Sequence, residues 1–226
     1  ANEWEPSISV DAQGRAWIGY DSYQHGNYDV FVTSVRRTRG AVEVEPAVSV
    51  TTSEDFEAHA SVLAEGNGRV WVAYDAAGPN WGKDFRNIPT TSSGWYAEPL
   101  HASRRVELRL VANGSVQRPT GPLPQILPPE RIERIERKPG TKPTRFYEFP
   151  RLARDGNGRM WLLFRECRQG YASHPPKGAC WRVCATTYTR EGWLPPIELP
   201  QSWGRQNQRV SCALGKDGAL HCTWAD

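Results

Sequence analysis

Apolar positions in this chain fall in short bursts, too short for core helices, separated by turns rich in glycine, asparagine and aspartate. Trp17-Ile-Gly-Tyr, Trp71-Val-Ala-Tyr and Trp161-Leu-Leu-Phe are dense enough to be strands buried on both faces. Each ends a segment that recurs. Stretches starting at Glu5, His59, Phe149 and Arg209 align without a gap, so that Gly14, Gly68, Gly158 and Gly218 coincide, as do Arg15, Arg69 and Arg159. Three residues past the Trp or His the position is always aromatic: Tyr20, Tyr74, Phe164 and Trp224. The glycine supplies the positive φ that closes a tight hairpin, so the repeat predicts paired A and B strands.

A second strand pair follows three of these hairpins. Asp29-Val-Phe-Val-Thr-Ser-Val precedes Val42-Glu-Val-Glu, Val106-Glu-Leu-Arg-Leu-Val precedes Ser115-Val-Gln, and the stretch from Cys180 to Tyr188 precedes Trp193-Leu, with Gly40, Gly114 and Gly192 in the turns. Four antiparallel strands recurring in this way predict the blades of a β-propeller. The expected fold is all-β, a partial propeller of three complete four-stranded blades and half of a fourth. Residues 1–226 form one region, with units at about 5–52, 58–128, 149–200 and 209–226 and insertions at 76–102 and 119–148. Such a set leaves strand edges and sheet faces unpaired. The expected partners are therefore the remaining blades, from the same polypeptide, another chain or a second copy.

Composition agrees with this picture. Trp 10, Tyr 8 and Phe 6 against a single Met, with Gly 20 and Pro 18, favour short strands and many turns. Lys plus Arg number 28 and Asp plus Glu 25, so no overall basic field marks a nucleic-acid binder. No apolar run reaches the ~18 residues of a membrane-spanning helix, and none is expected. The cysteines, at 167, 180, 184, 212 and 222, form no C-x-x-C pair, so neither a metal nor another cofactor is expected. Cys167 and Cys180 flank a loop containing Gly170, Pro175, Pro176 and Gly178 and are the expected disulfide, while Cys212 and Cys222 flank a predicted hairpin. Disulfides place the chain in the periplasm or outside the cell.

Chemistry is expected on the loops that open at one end of the propeller axis. These carry Asp21, Tyr23 and His25 in the first unit, Asp75, Trp81, Lys83 and Asp84 in the second, and Arg165, Glu166, Tyr171 and His174 in the third; His59 stands at a strand start. Carboxylates beside His and Tyr suit acid–base work or sugar binding, with Trp81 or Tyr171 stacking on a ring. Asp21 and Asp75 share a repeat position, so each also reads as a loop cap accepting backbone N–H groups. His59 equally reads as a satisfied structural histidine, and Trp81 as packing for its own loop. No catalytic residue is singled out. The leading expectation is a non-catalytic region that binds a glycan or protein, or scaffolds a larger extracytoplasmic protein; the alternative is part of a glycoside hydrolase or polysaccharide lyase.

The hairpins D-A-Q-G-R-A-W, G-N-G-R-V-W and G-N-G-R-M-W, with Asp21-Ser-Tyr, Gly26-Asn-Tyr-Asp-Val-Phe-Val and the stretch from Asp75 to Asp84, resemble the amino-terminal propeller of a group of large secreted bacterial proteins. That resemblance implies a following metal-dependent phosphoesterase-like domain. Ser9 to Trp17 is also similar to the Asp-box of sialidases, S-x-D-x-G-x-T-W, with one extra residue between Asp11 and Gly14.

Overall fold

The computed structural model describes residues 3–24, 26–79, 104–119, 144–169, 180–189, 191–202 and 209–224, and the regular structure among them is entirely β-strand. The first sheet runs β1 (Glu3–Val10), β2 (Ala16–Ser22), β3 (Asp29–Thr38), β4 (Ala41–Val44), with β5 (Val48–Ser49) also on β3. The second runs β6 (Phe56–Gly66), β7 (Arg69–Ala77), β8 (Arg105–Ala112), β9 (Ser115–Gln117). The third is β10 (Thr144–Arg154), β11 (Met160–Gln169), β12 (Cys180–Thr189), β13 (Gly192–Trp193), with β14 (Ile197–Glu198) on β12. A lone hairpin, β15 (Ser211–Leu214) with β16 (Leu220–Thr223), makes the fourth unit. All pairings are antiparallel and, apart from those of β5 and β14, join neighbours in sequence, the order of propeller blades, and the fold is a partial β-propeller as the repeat predicts.

The outermost strand of the first and third blades is split. Glu45-Pro-Ala and Leu194-Pro-Pro interrupt it, and prolines, lacking an N–H, cannot continue the ladder, so β5 and β14 rejoin their neighbours further along.

Three of the four hairpin turns are built on aspartate. Asp11 Oδ1 accepts from the N–H of Gln13 (3.0 Å) and Arg15 (2.9 Å), and Asp155 Oδ1 from Asn157 and Arg159 (both 2.9 Å). Asp155 Oδ2 also accepts from Trp161 Nε1 at 3.0 Å, locking turn to strand. In the fourth unit the acid stands two residues later: Asp217 Oδ1 takes the Ala219 N–H at 3.1 Å.

In the first three units strand A begins earlier than the repeat. Each contains a bulge, between Trp4 and Ser7, Ala58 and Ser61, and Glu148 and Arg151, where Glu5, His59 and Phe149 adopt φ of 46°, 59° and 52°. The aligned segments start at this irregularity, not at the strand end. β6 and β10 therefore extend back to Phe56 and Thr144, and β7 runs on through Ala77 into what the sequence assigned to the insertion.

Neighbouring blades lock through hydroxyls on strand A. Val62 N–H donates to Ser7 Oγ (3.1 Å), Ala64 N–H to Ser9 Oγ (2.9 Å), and Leu152 N–H to Ser61 Oγ (2.9 Å). These amides point away from strand B, so the pairs Val62 with Val72 and Leu152 with Leu162 are the non-hydrogen-bonded kind. Between the first two blades the fit needs glycine, because a Cβ on Gly19 would lie 2.5 Å from Val62 Cγ1. Between the third and fourth units Gly156 N–H donates to Gly218 O at 2.9 Å, with the two turns in direct backbone contact.

The ladder of β11 and β12 sets Cys167 opposite Trp181 and Cys180 opposite Arg168, so the two cysteines expected to bond are not register partners. Their side chains lie outside the described residues. Cys184, Cys212 and Cys222 are thiols.

Candidate functional site

In the first three units the residue that opens the repeat sits at the bulge, and these residues meet Arg209, which opens the fourth, around one axis. The rings of His59 and Phe149 are 4.3 Å apart, the Arg209 guanidinium lies 4.2 Å from the Phe149 ring centre, and Arg209 Nη1 donates to Glu5 Oε1 at 2.8 Å. All four units thus contribute their first residue to one axial end. The two aspartates at the end of strand B reach across to the next blade there.

Asp21 accepts from the N–H of His59 (2.8 Å) and Ala60 (3.2 Å), and Asp75 Oδ1 from Phe149 N–H (2.8 Å). Both acids are buried. Each carboxylate satisfies the bulge of the following blade, a cap repeated from unit to unit. Burial, with the Glu5 carboxylate adding to it, pushes Asp21 up to about 6 despite the opposing backbone N–H bonds and His59. At the same repeat position the third blade has Arg165, whose guanidinium lies 4.5 Å from the Phe149 ring centre and 3.8 Å from that of Trp181.

A buried chain of charges runs inward from this point. His59 Nδ1 lies 2.7 Å from Asp75 Oδ2, Arg104 Nη1 is 3.7 Å from the same oxygen, and both Arg104 and Arg165 donate to the Glu148 carboxylate. Asp75, Glu148, Arg104 and Arg165 are each under 10% exposed. Two guanidinium groups and two carboxylates neutralise one another. Such a cluster fixes geometry, and removing one member strands a buried charge.

Of the sequence-expected site residues, the structure thus brings Asp21, His59, Asp75 and Arg165 together. Glu166 is in a separate network: it pairs with Arg182 at 2.6 Å, and its Oε2 is 3.5 Å from Cys184 Sγ. Burial and the Glu166 carboxylate push that thiol up to about 12. Tyr23 closes its own loop, donating to Gly26 O at 2.7 Å and packing on Tyr28. His25, Trp81, Lys83, Asp84, Tyr171 and His174 lie outside the described residues. Glu5, Phe149 and Arg209 were missed as site residues; their signal was the shared first position of the repeat, hidden because they have no chemistry in common. Among the described residues no group of three or more His, Cys, Asp or Glu side chains is placed to hold a metal ion.

Among the described residues two surfaces are open. On β1, Trp4, Ile8 and Val10 are 40%, 65% and 61% exposed, whereas Ala58, Val62 and Ala64 at the same repeat positions are 2%, 3% and 9% exposed. Beside the fourth unit a cleft of about 450 Å³ is lined by Trp161, Leu163, Ala185, Ile197, Leu220 and Cys222. Trp161 is half-buried, although Trp17 and Trp71 at its repeat position are buried; Tyr188 of the next blade's third strand packs on Trp71, with ring centres 5.8 Å apart.

No protein-family model and no curated protein matches the sequence. Solved structures do match the fold. An α-L-arabinanase from Penicillium chrysogenum, solved with arabinobiose, aligns over 97% of this chain and 58% of its own, with a TM-score of 0.53 and 8% identity. A xylan β-1,4-xylosidase from Bacillus halodurans aligns over 92% of this chain and 38% of its own, with a TM-score of 0.43 and 11% identity. The chain therefore spans just over half the length of the arabinanase, and at this identity the likeness concerns the fold alone.

Proposed function

We propose that this chain is a non-catalytic scaffolding and binding portion of a larger β-propeller, whose open sheet faces receive further β-sheet. The carrying observation is the reversal of burial between equivalent residues: Ile8 and Val10 are exposed where Val62 and Ala64 are buried against a preceding blade. Apolar side chains at these positions stabilise only when a neighbouring sheet covers them. The acids at the axial end support the same reading, since Asp21 and Asp75 hold backbone N–H groups and Glu148 is held by two arginines. In line with the extracytoplasmic placement expected from its cysteines, the assembly belongs outside the cytoplasm.

A photo-activated benzophenone side chain in place of Ile8, introduced in the producing cell, tests this. The expected result is a cross-link to a β-strand segment, from the same polypeptide or another, at a yield well above that from a control at exposed Arg36. Equal yields at the two positions would count against the proposal.

A second reading has one observation in its favour. Asp21, with its carboxyl near 6, stands among Glu5, His59 and Arg209 at the axial end, and the arabinanase of like fold acts on carbohydrate. In this reading the completed propeller is a carbohydrate-active enzyme. Release of reducing sugar from arabinan or xylan by the completed assembly, lost in D21N, would establish it, and turnover indifferent to D21N would remove Asp21 from it.

A further inference from the structure

The fourth hairpin departs from its siblings at one cross-strand pair as well as in its turn. Where the first three units oppose Ile8 with Ile18, Val62 with Val72 and Leu152 with Leu162, this hairpin opposes Cys212 with Cys222. The amides of Val62 and Leu152 donate outward to serines of the preceding blade, which identifies this register position as a non-hydrogen-bonded pair. In such pairs the Cα atoms approach to ~4.5 Å and the side chains lean together, within the Cα range that a disulfide spans. Both thiols stand on the same side of the sheet, packed against the apolar cluster of Leu163, Val183, Ala185 and Val210, with Arg151 as the neighbouring charge.

We propose that Cys212 and Cys222 are a modification site, closing a cross-strand disulfide within the fourth hairpin when a small-molecule disulfide such as oxidised glutathione is present. The Cys222 thiolate attacks one glutathione sulfur, breaking its S–S bond and releasing one glutathione thiolate. Cys212 then attacks the mixed disulfide at Cys222 and releases the second. One S–S bond is broken and one formed, and the two cysteine protons leave on the two glutathione thiols. Burial raises both thiols, Cys212 to about 11, so Cys222 is the one that starts the exchange. The bond would hold β15 against β16 beside the cleft over Trp161, keeping the strand edge of the fourth unit formed.

Lys216 lies between the two cysteines and Arg209 precedes them, so trypsin cuts the native loop into Val210–Lys216 and Asp217–Asp226. After treatment of the folded chain with oxidised glutathione, quenching of free thiols and digestion without reductant, the two peptides should appear as one species joined through sulfur, without glutathione. In C212S, which lacks the resolving thiol, the Asp217–Asp226 peptide should instead retain one glutathione. Recovery of the wild-type peptides separately, whether as thiols or as glutathione adducts, overturns the proposal.

Discussion

Arg209 of the fourth unit donates a 2.8 Å hydrogen bond to Glu5 of the first, although 204 residues separate them in the chain. Both occupy the first position of the repeat, and Arg209 also lies on Phe149, whose ring meets that of His59; these two are the first residues of the other two units. The axial end is thus assembled from one residue per unit, while the rims of the first and fourth units are not packed together as β1 is packed on β6.

The cap between the second and third blades should be worth far more than a surface contact. Asp75→Ala leaves the Phe149 N–H and His59 without their buried partner and the two arginines with one carboxylate instead of two, and should lower stability by about 3–5 kcal/mol. Asp75→Asn keeps an acceptor for Phe149 and should cost less. Urea unfolding followed by tryptophan emission reads both, and equal losses would show that the backbone cap contributes nothing of its own.

Asp21 should make the chain less stable as pH rises from 4 to 6. Its folded-state value, about 6, lies above the ordinary 3.8, so the folded form holds the proton more tightly, and the stabilisation present below pH 4 is lost as pH rises through 6. The gap corresponds to about 3 kcal/mol. Asp21→Asn should flatten the dependence of the thermal midpoint on pH in this window; a slope unchanged from wild type would exclude Asp21 as its source.

Hairpin aspartates should differ by context. Asp155, buried at its turn, serves two backbone amides and the Trp161 indole, and these bonds with Arg159 hold it down near 2. Asp155→Ala should therefore cost about 1–3 kcal/mol. Asp217, exposed in the fourth hairpin, should be replaceable by Ala with little effect. Comparable losses in chemical denaturation would show that turn chemistry, not the tie to tryptophan, sets the cost.

The contact of Gly19 with Val62 should behave as a lock. Gly19→Ala places a methyl 2.5 Å from Val62 Cγ1, forcing the blades apart at a cost of about 1–3 kcal/mol. Val62→Ala leaves a void, and the double variant should recover part of the summed loss. Strict additivity in a double-mutant cycle would mean that the two side chains do not meet.

Much of this architecture was legible in the sequence because hairpin chemistry is local. Gly14, Gly68, Gly158 and Gly218 all take positive φ, and the strands flanking them fall where the repeat puts them. Asp21 and Asp75 were recognisable as a recurring cap from their shared position. What the capped groups were was not, since the partners belong to the next blade and lie 38 and 74 residues on. The bulges at Glu5, His59 and Phe149 escaped notice because three unrelated side chains take the same strained backbone. The Arg104 to Glu148 pair joins residues on either side of a long insertion, and no spacing rule links them. Cysteine pairing is read from register rather than loop composition: the side chains of Cys167 and Cys180, which loop composition paired, lie outside the described residues, while the fourth hairpin opposes Cys212 to Cys222.

Amide hydrogen exchange on the dilute 226-residue chain tests the open face of β1 most directly. Ile8 and Val10 occupy the register positions of Val62 and Ala64, whose amides are held by Ser7 and Ser9 of the preceding blade, and no preceding blade covers β1 among the described residues. The account predicts fast exchange at Ile8 and Val10 and slow exchange at Val62, Ala64 and Leu152. Protection of Ile8 and Val10 equal to that of Val62 and Ala64 would contradict it, because the face would then already be covered within the isolated chain.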